Sequence, residues 1–282
     1  MDYQKALAEV RDFYADRLGE NIAGQLIELA RPGFALTAAE PDQATGQCRF
    51  GGRPLLEPGT AWPMCEGTPL SLVGVLDTDA LAPWLGGLVP PGAGLLNFFY
   101  LDSDSKLNDP QAMELELKLD AHDPRKSAVI PAAPSRAVEA TPPARASVFE
   151  PEAWTAAPAI ALLCLERDPA LEQIDLGTAP DKFASEMPSD YIDRHIETWE
   201  WEQIPARVTS DDVAFGWPEF PTGNSPWFPD GEDPNLYHHL LQFSGNDQWR
   251  LEGEGGWMHF SIPTEALRKG DFSQAIHIHD WW

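Results

Sequence analysis

LSLVGVL (residues 70–76) and GLLNFFYL (residues 94–101) are short apolar runs, each bounded by glycine and proline. Runs of this length between turn signals are consistent with buried strands. Outward from them, MELELKLD (residues 113–120) alternates: Met113, Leu115, Leu117 and Leu119 face one way, and Glu114, Glu116, Lys118 and Asp120 the other. That period predicts a strand with one wet face. From Phe50 onward Gly, Pro and Trp are frequent, and β-prone stretches alternate with turns.

The first thirty residues have a different period. Leu7, Val10, Tyr14, Leu18, Ile22 and Leu26 step by three or four, which predicts one apolar helical stripe packed on something larger. Gly19 divides it into two helices, Asn21 is placed to cap the second, and RPG (residues 31–33) ends it. Residues 121–158 are rich in Pro and Ala. They read as irregular strands joined by ordered loops, with Val129, Val138, Val148, Phe149 and Trp154 returning to the core, or as a linker. PAIALLCLERD (residues 158–168) is ambiguous between strand and helix. PSDYIDRHIETWEWEQI (residues 188–204) has helical spacing at Tyr191, Ile192, His195, Ile196 and Trp199, with Ser189 as its cap.

The two halves echo one another. FGGRPLLEPGTAWP (residues 50–63), LSLVGVLDTDAL (70–81) and GAGLLNFFYLD (92–102) are matched in order by FGWPEFPTGNSPWFP (215–229), HHLLQFSGNDQW (238–249) and GEGGWMHFSIP (253–263). Residues 94–98 lie over 256–260, and 72–76 over 240–244. The expected fold is therefore α+β. A mixed or antiparallel sheet core is duplicated as two half-domains (roughly 50–120 and 213–282). A helical segment at 1–44 packs on one domain at 45–282.

The same residues resemble the YwqG-like family, a bacterial domain of unknown function. The resemblance covers roughly 45–282. It is carried by Gly51-Gly52-Arg53-Pro54 and Trp62-Pro63 in an opening loop, and by the closing segment from Gly256 through Asp271-Phe272 to Asp280. It implies a single α+β domain and brings no activity with it. The family's His-x-x-x-Gly-Gly pattern before the second proline loop, followed by Gln, has no counterpart in DVAFGWPEFPTG (residues 212–223).

Composition limits the functional classes. Lys plus Arg number 19 against 45 Asp plus Glu, a net charge of −26. Such a surface repels nucleic acid and anionic membranes and favours a basic protein partner. No segment approaches the ~20 apolar residues of a membrane-crossing helix. The opening MDYQKALAEV shows no signal peptide pattern. A cytoplasmic protein is expected.

Cys48, Cys65 and Cys164 fit no metal or disulfide spacing. Cys164 reads as a core thiol, and Cys65 as more exposed, with Glu66 raising its pKa. No GxSxG elbow, P-loop or GxGxxG is present. The tryptophans of the proline-rich loops form the candidate binding surface: Trp62, Trp217, Trp227, Phe228 and Trp249.

The tail AIHIHDWW (residues 275–282) has strand periodicity, so His277 and His279 share a face, roughly 6.6 Å apart. The expected reading is structural. Ile276 and Ile278 are buried, the histidines partly solvated, and Trp281 or Trp282 anchors the end. The alternative is a metal site using His277 and His279 with His259, or with His238, His239 or Asp280, although HExxH and paired CxxC are absent. The leading functional expectation is a non-catalytic protein-binding module, immunity-type or regulatory, with no cofactor. The alternative is a hydrolase or metal-dependent enzyme built on the His-rich C-terminal strands.

Overall fold

The computed structural model describes residues 2–103, 109–162, 171–177, 179, 186–196, 200, 203–208, 210–218, 228–229, 233–245, 248 and 256–281. The chain opens with two helices, α1 (Tyr3–Leu18) and α2 (Glu20–Leu29). Asp2 caps the first, accepting from the Gln4 amide. The expected stripe is buried at Val10, Tyr14, Leu18, Ile22 and Leu26, and Gly19 joins the helices at φ +85°. Asn21 does not cap α2. Its amide instead donates to the Asp175 carbonyl, tying the helix to a distant loop.

The strands are β1 (Arg31–Ala39), β2 (Arg49–Phe50), β3 (Leu55–Leu56), β4 (Met64–Cys65), β5 (Thr68–Pro69), β6 (Ser71–Asp77), β7 (Leu95–Tyr100), β8 (Ser127–Ala132), β9 (Val138–Glu139), β10 (Glu152–Ala161), β11 (Asp212–Phe215), β12 (Tyr237–Ser244), β13 (Gly256–Pro263) and β14 (Ile276–Trp281). Interleaved with them are α3 (Thr78–Leu85), α4 (Pro110–Lys118), α5 (Pro188–His195) and α6 (Thr264–Lys269).

One ten-stranded sheet dominates, in the order β14-β13-β12-β11-β1-β10-β2-β6-β7-β8. Its ladders are antiparallel. Sequence patterning places strands only from about residue 45, yet Arg31–Ala39 is one of the two central strands. It pairs β10 on one side and β11 on the other. Arg-Pro-Gly does end the helical period, but it opens a strand inside the 1–44 segment expected to be helical.

Ring contacts between non-neighbouring strands show that the sheet curls almost into a barrel. Phe98 of β7 meets Phe260 of β13 at 5.1 Å between ring centroids, and Phe50 of β2 meets Phe243 of β12 at 5.8 Å. The two ends of the strand order approach each other where Ser127 Oγ of β8 lies 3.5 Å from the Ala275 carbonyl just before β14. Curling of this kind follows from the right-handed twist of long sheets and protects edges that would otherwise be open. The main core fills the interior and extends to α1 and α2. A smaller cluster lies on the other side of β6 and β7, under α4 and the β4–β5 hairpin, and includes Leu70, Leu72, Leu95, Phe99 and Leu115.

Two Phe-Gly pairs turn the chain at the ends of β2 and β11. Gly51 has φ +61° and Gly216 φ +75°. A Cβ on Gly216 would lie 2.5 Å from Ala161 Cβ, and one on Gly51 would lie 2.8 Å from the Glu150 carbonyl. Both glycines are therefore demanded by conformation and by space.

Three local expectations are corrected. MELELKLD is not a strand: Pro110–Lys118 is helix α4, with Pro110 in its first turn and the Asp109 carboxylate accepting from the Gln111 amide. Met113 and Leu117 are exposed, while Ala112 and Leu115 are buried. A cap, an N-terminal proline and the helix-favouring Glu, Leu, Lys and Met outweigh a short alternation. Val138 and Val148 lie at the surface, whereas Val129, Phe149 and Trp154 reach the core as expected. Ser189 does not cap α5. Met187 occupies that position without a side-chain bond, and the Ser189 hydroxyl donates to Glu172. PAIALLCLERD resolves as the end of β10 in its described part; Cys164 and Trp199 lie outside the described residues.

Candidate functional site

Five of the seven histidines lie on three consecutive strands: His238 and His239 on β12, His259 on β13, His277 and His279 on β14. The register sorts them by face. His277 pairs with Phe260 and His279 with Met258, so both rings share the side of residues that pack the closed interior. His259 pairs with Ile278, and His239 with Ser261, which places these two on the opposite side. Their ring centroids are 5.9 Å apart.

The solvated face expected for the β14 histidines is not what forms. His277 is buried, His279 half-buried, and Ile276 and Ile278 are buried as expected. The reason is tertiary: the far end of the sheet folds over this face. The Tyr100 ring from β7 lies 6.2 Å from His277 and 5.9 Å from His279, and the two imidazoles are 5.1 Å apart. The side chains of Trp281 and Trp282 lie outside the described ones.

Beside these rings is a second buried polar element. Lys126, only 2% exposed, ends the short turn before β8 and pairs with Glu116 of α4. Its carbonyl accepts from the Leu101 amide at 2.7 Å, joining it to the end of β7. A fully buried ammonium is expensive unless paired, so α4 supplies the charge that lets the turn go inside.

Burial holds the histidines neutral. It pushes His238, His239 and His279 down to about 3. His259 and His277 are held well below the ordinary histidine value by burial first. Neighbouring histidines add to this, as does Lys126 for His277. Each neutral ring offers one donor and one acceptor. His238 Nδ1 lies 2.9 Å from the Thr264 hydroxyl, whereas His277 Nδ1 has no hydrogen-bond partner among the described residues. No group of three histidine, cysteine or carboxylate side chains among the described residues is arranged to hold a metal ion. His259 and the His277–His279 pair point to opposite sides of the sheet, so this alternative triad does not converge.

Of the candidate tryptophans, Trp62 and Trp217 are described, and both make contacts within the fold. The Trp62 indole N–H donates to the Leu70 carbonyl at 2.9 Å and meets Phe99 edge-on. Trp217 is buried, its N–H donates to the Leu29 carbonyl at 2.6 Å, and the Arg31 guanidinium lies 3.4 Å above its ring. Phe228 is half-buried against Tyr237. Trp62 and Trp217 belong to different hydrophobic clusters, and Trp227 and Trp249 lie outside the described residues. Cys65, expected to be more exposed, is fully buried, and burial raises its thiol pKa before Glu66 contributes.

Sequence reasoning singled out the β14 histidines but missed Tyr100, Lys126 and Glu116. Tyr100 ends an apolar run, and Lys126 lies in a charged turn, DPRK. Only the curl of the sheet brings them to the tail.

At the surface, many cations are already committed. Arg11 pairs with Glu20, Arg17 with Glu200, Lys118 and Arg125 with Glu66, Arg136 with Glu57, and Arg145 with Asp109. The surplus of carboxylates is left to dominate the outer field.

The family described as domain of unknown function (DUF1963) matches residues 48–280, and the chain belongs to it. No curated protein matches the chain.

Proposed function

We propose that this DUF1963 family member is a non-catalytic, YwqG-like protein of the cytoplasm that binds a basic protein partner, as an immunity-type or regulatory module would. One observation carries the reading. The net charge is −26, and arginines that would otherwise offset it locally are engaged in ion pairs with this chain's own carboxylates. A field of one sign steers an oppositely charged protein into encounter and repels nucleic acid and anionic lipid. None of the described helices is long and apolar enough to cross a membrane.

The strand order supports descent from two half-domains. From the central pair β1–β10 it runs β2-β6-β7-β8 one way and β11-β12-β13-β14 the other. The β6–β7 and β12–β13 ladders each contain one register shift, and each flank begins with a strand ending in Phe followed by a left-handed Gly.

Immobilised protein exposed to extract of the source cell should retain a basic protein. Its association rate should fall by roughly tenfold or more between low salt and 0.5 M, because screening removes long-range attraction. A partner that associates equally fast at both salts, or that is itself acidic, contradicts the reading. The second reading, a hydrolase or metal-dependent enzyme, draws on the histidine-rich β12–β14 strands. Stoichiometric zinc in elemental analysis of the pure protein would favour it.

A further inference from the structure

We propose that β14 is an acid-released latch: it closes the curled sheet at neutral pH and detaches when His277 and His279 take up protons. The geometry carries this. β14 ends the strand order, so the described ladders hold it along one side, to β13. Across the seam it meets β8 and the turn before it.

Among the described residues, side chains across the seam crowd the two rings of β14. His277 and His279 are 5.1 Å apart, and each faces Tyr100 of β7. The turn before β8 contributes buried Lys126, whose charge is met by Glu116 of α4. His122, in the turn after α4, bears on His277 as another potential cation. Asp102 is buried just beyond β7, and Ser127 at the start of β8 lies against the Ala275 carbonyl just before β14. From β13, Met258 and Phe260 pack on the same face, while His259 and Ser261 lie on the other beside His239 of β12. Glu116 is the carboxylate that meets the Lys126 charge. Protons on both β14 imidazoles put like charges about 5.1 Å apart in a largely buried site beside Lys126. Release of β14 relieves this at once, because it hydrates both rings and costs only one ladder. The strands around β1 and β10 carry no histidine and have no such reason to open. Opening the seam uncovers the β13 edge and the face of Phe260.

Hydrogen exchange of the intact protein, corrected for the intrinsic pH dependence of exchange, tests the latch. Between pH 7.5 and 5.0 the β14 amides should lose at least about tenfold in protection, a loss typical of local opening, while β1 and β10 keep theirs. Unchanged β14 protection at pH 5.0 overturns the proposal, as does equal loss across all strands. The His277→Phe, His279→Phe protein should keep β14 protected at pH 5.0. If the double variant does not fold, His277→Phe alone should move the opening to lower pH. A folded variant that opens like the wild type assigns the acid response to other groups and also overturns the proposal.

Discussion

Between pH 7 and pH 5 the protein should lose several kcal/mol of stability, a large part of the ~5–15 kcal/mol that holds a typical domain folded. While the sheet is closed, burial pushes the pKa of His238, His239 and His279 down to about 3 and holds those of His259 and His277 well below the ordinary value. In the unfolded chain the same rings take up protons as the pH falls through about 6.5. The unfolded state then binds more protons than the folded state, so stability falls with pH, by up to about 1.4 kcal/mol per pH unit for each ring. The full contribution is present above 6.5 and erodes below it.

Asp212 opposes this. Burial raises its carboxyl to about 6 despite hydrogen bonds from Ser244, so between there and about 4 the folded state holds a proton that the unfolded state releases. One such group offsets roughly one histidine. Urea unfolding at stepped pH measures the balance. A stability maximum at pH 5, or a flat profile from 7 to 5, would mean that the rings are hydrated.

Trp154→Ala should cost about 3–5 kcal/mol, the range for truncating a buried large aromatic. Trp154 is among the largest fully buried side chains, at 1% exposure. It lies on β10, which pairs β1 and β2 and so links the two flanks of the sheet. Its ring packs near Phe50, and a Cβ on Gly74 would lie 3.4 Å from it. Its backbone donates to the Cys48 carbonyl and accepts from the Thr45 amide. The cavity would open where both flanks meet. Leu117→Ala, at a side chain 89% exposed, is the contrast and should stay within about 0.5 kcal/mol. A small loss at Trp154, below about 1.5 kcal/mol, would contradict its place in the shared core.

The sheet was legible where apolar runs were bounded by turn residues. LSLVGVL, GLLNFFYL and WMHFSIP are strands, and the stripe from Val10 to Leu26 is the helical pair. β1 was missed because RPGFALTAA opens on Pro-Gly and is rich in small residues. Its strand character comes from two partners and not from propensity. α4 was misread because eight residues of alternation carry too little information against a cap outside the window. The β14 histidines were assigned to the right strand but the wrong environment. Period two tells which residues share a face, but a face is wet only if nothing folds over it. Tyr100, about 180 positions earlier in the chain, covers this one. The loop tryptophans were legible as aromatics in turns, yet Trp62 and Trp217 use their N–H groups on backbone carbonyls within the fold.

Whether the C-terminal histidines seal the sheet as buried neutral rings is tested most directly by nitrogen-15 NMR of histidine-labelled protein, titrated from pH 8 to pH 5. His239, His259 and His277 should keep neutral-imidazole shifts through pH 6 and change only together with the opening of β14. Individual titration of these rings near the ordinary value of about 6.5, with β14 still in place, would contradict it. So would ring shifts that move on addition of a chelator.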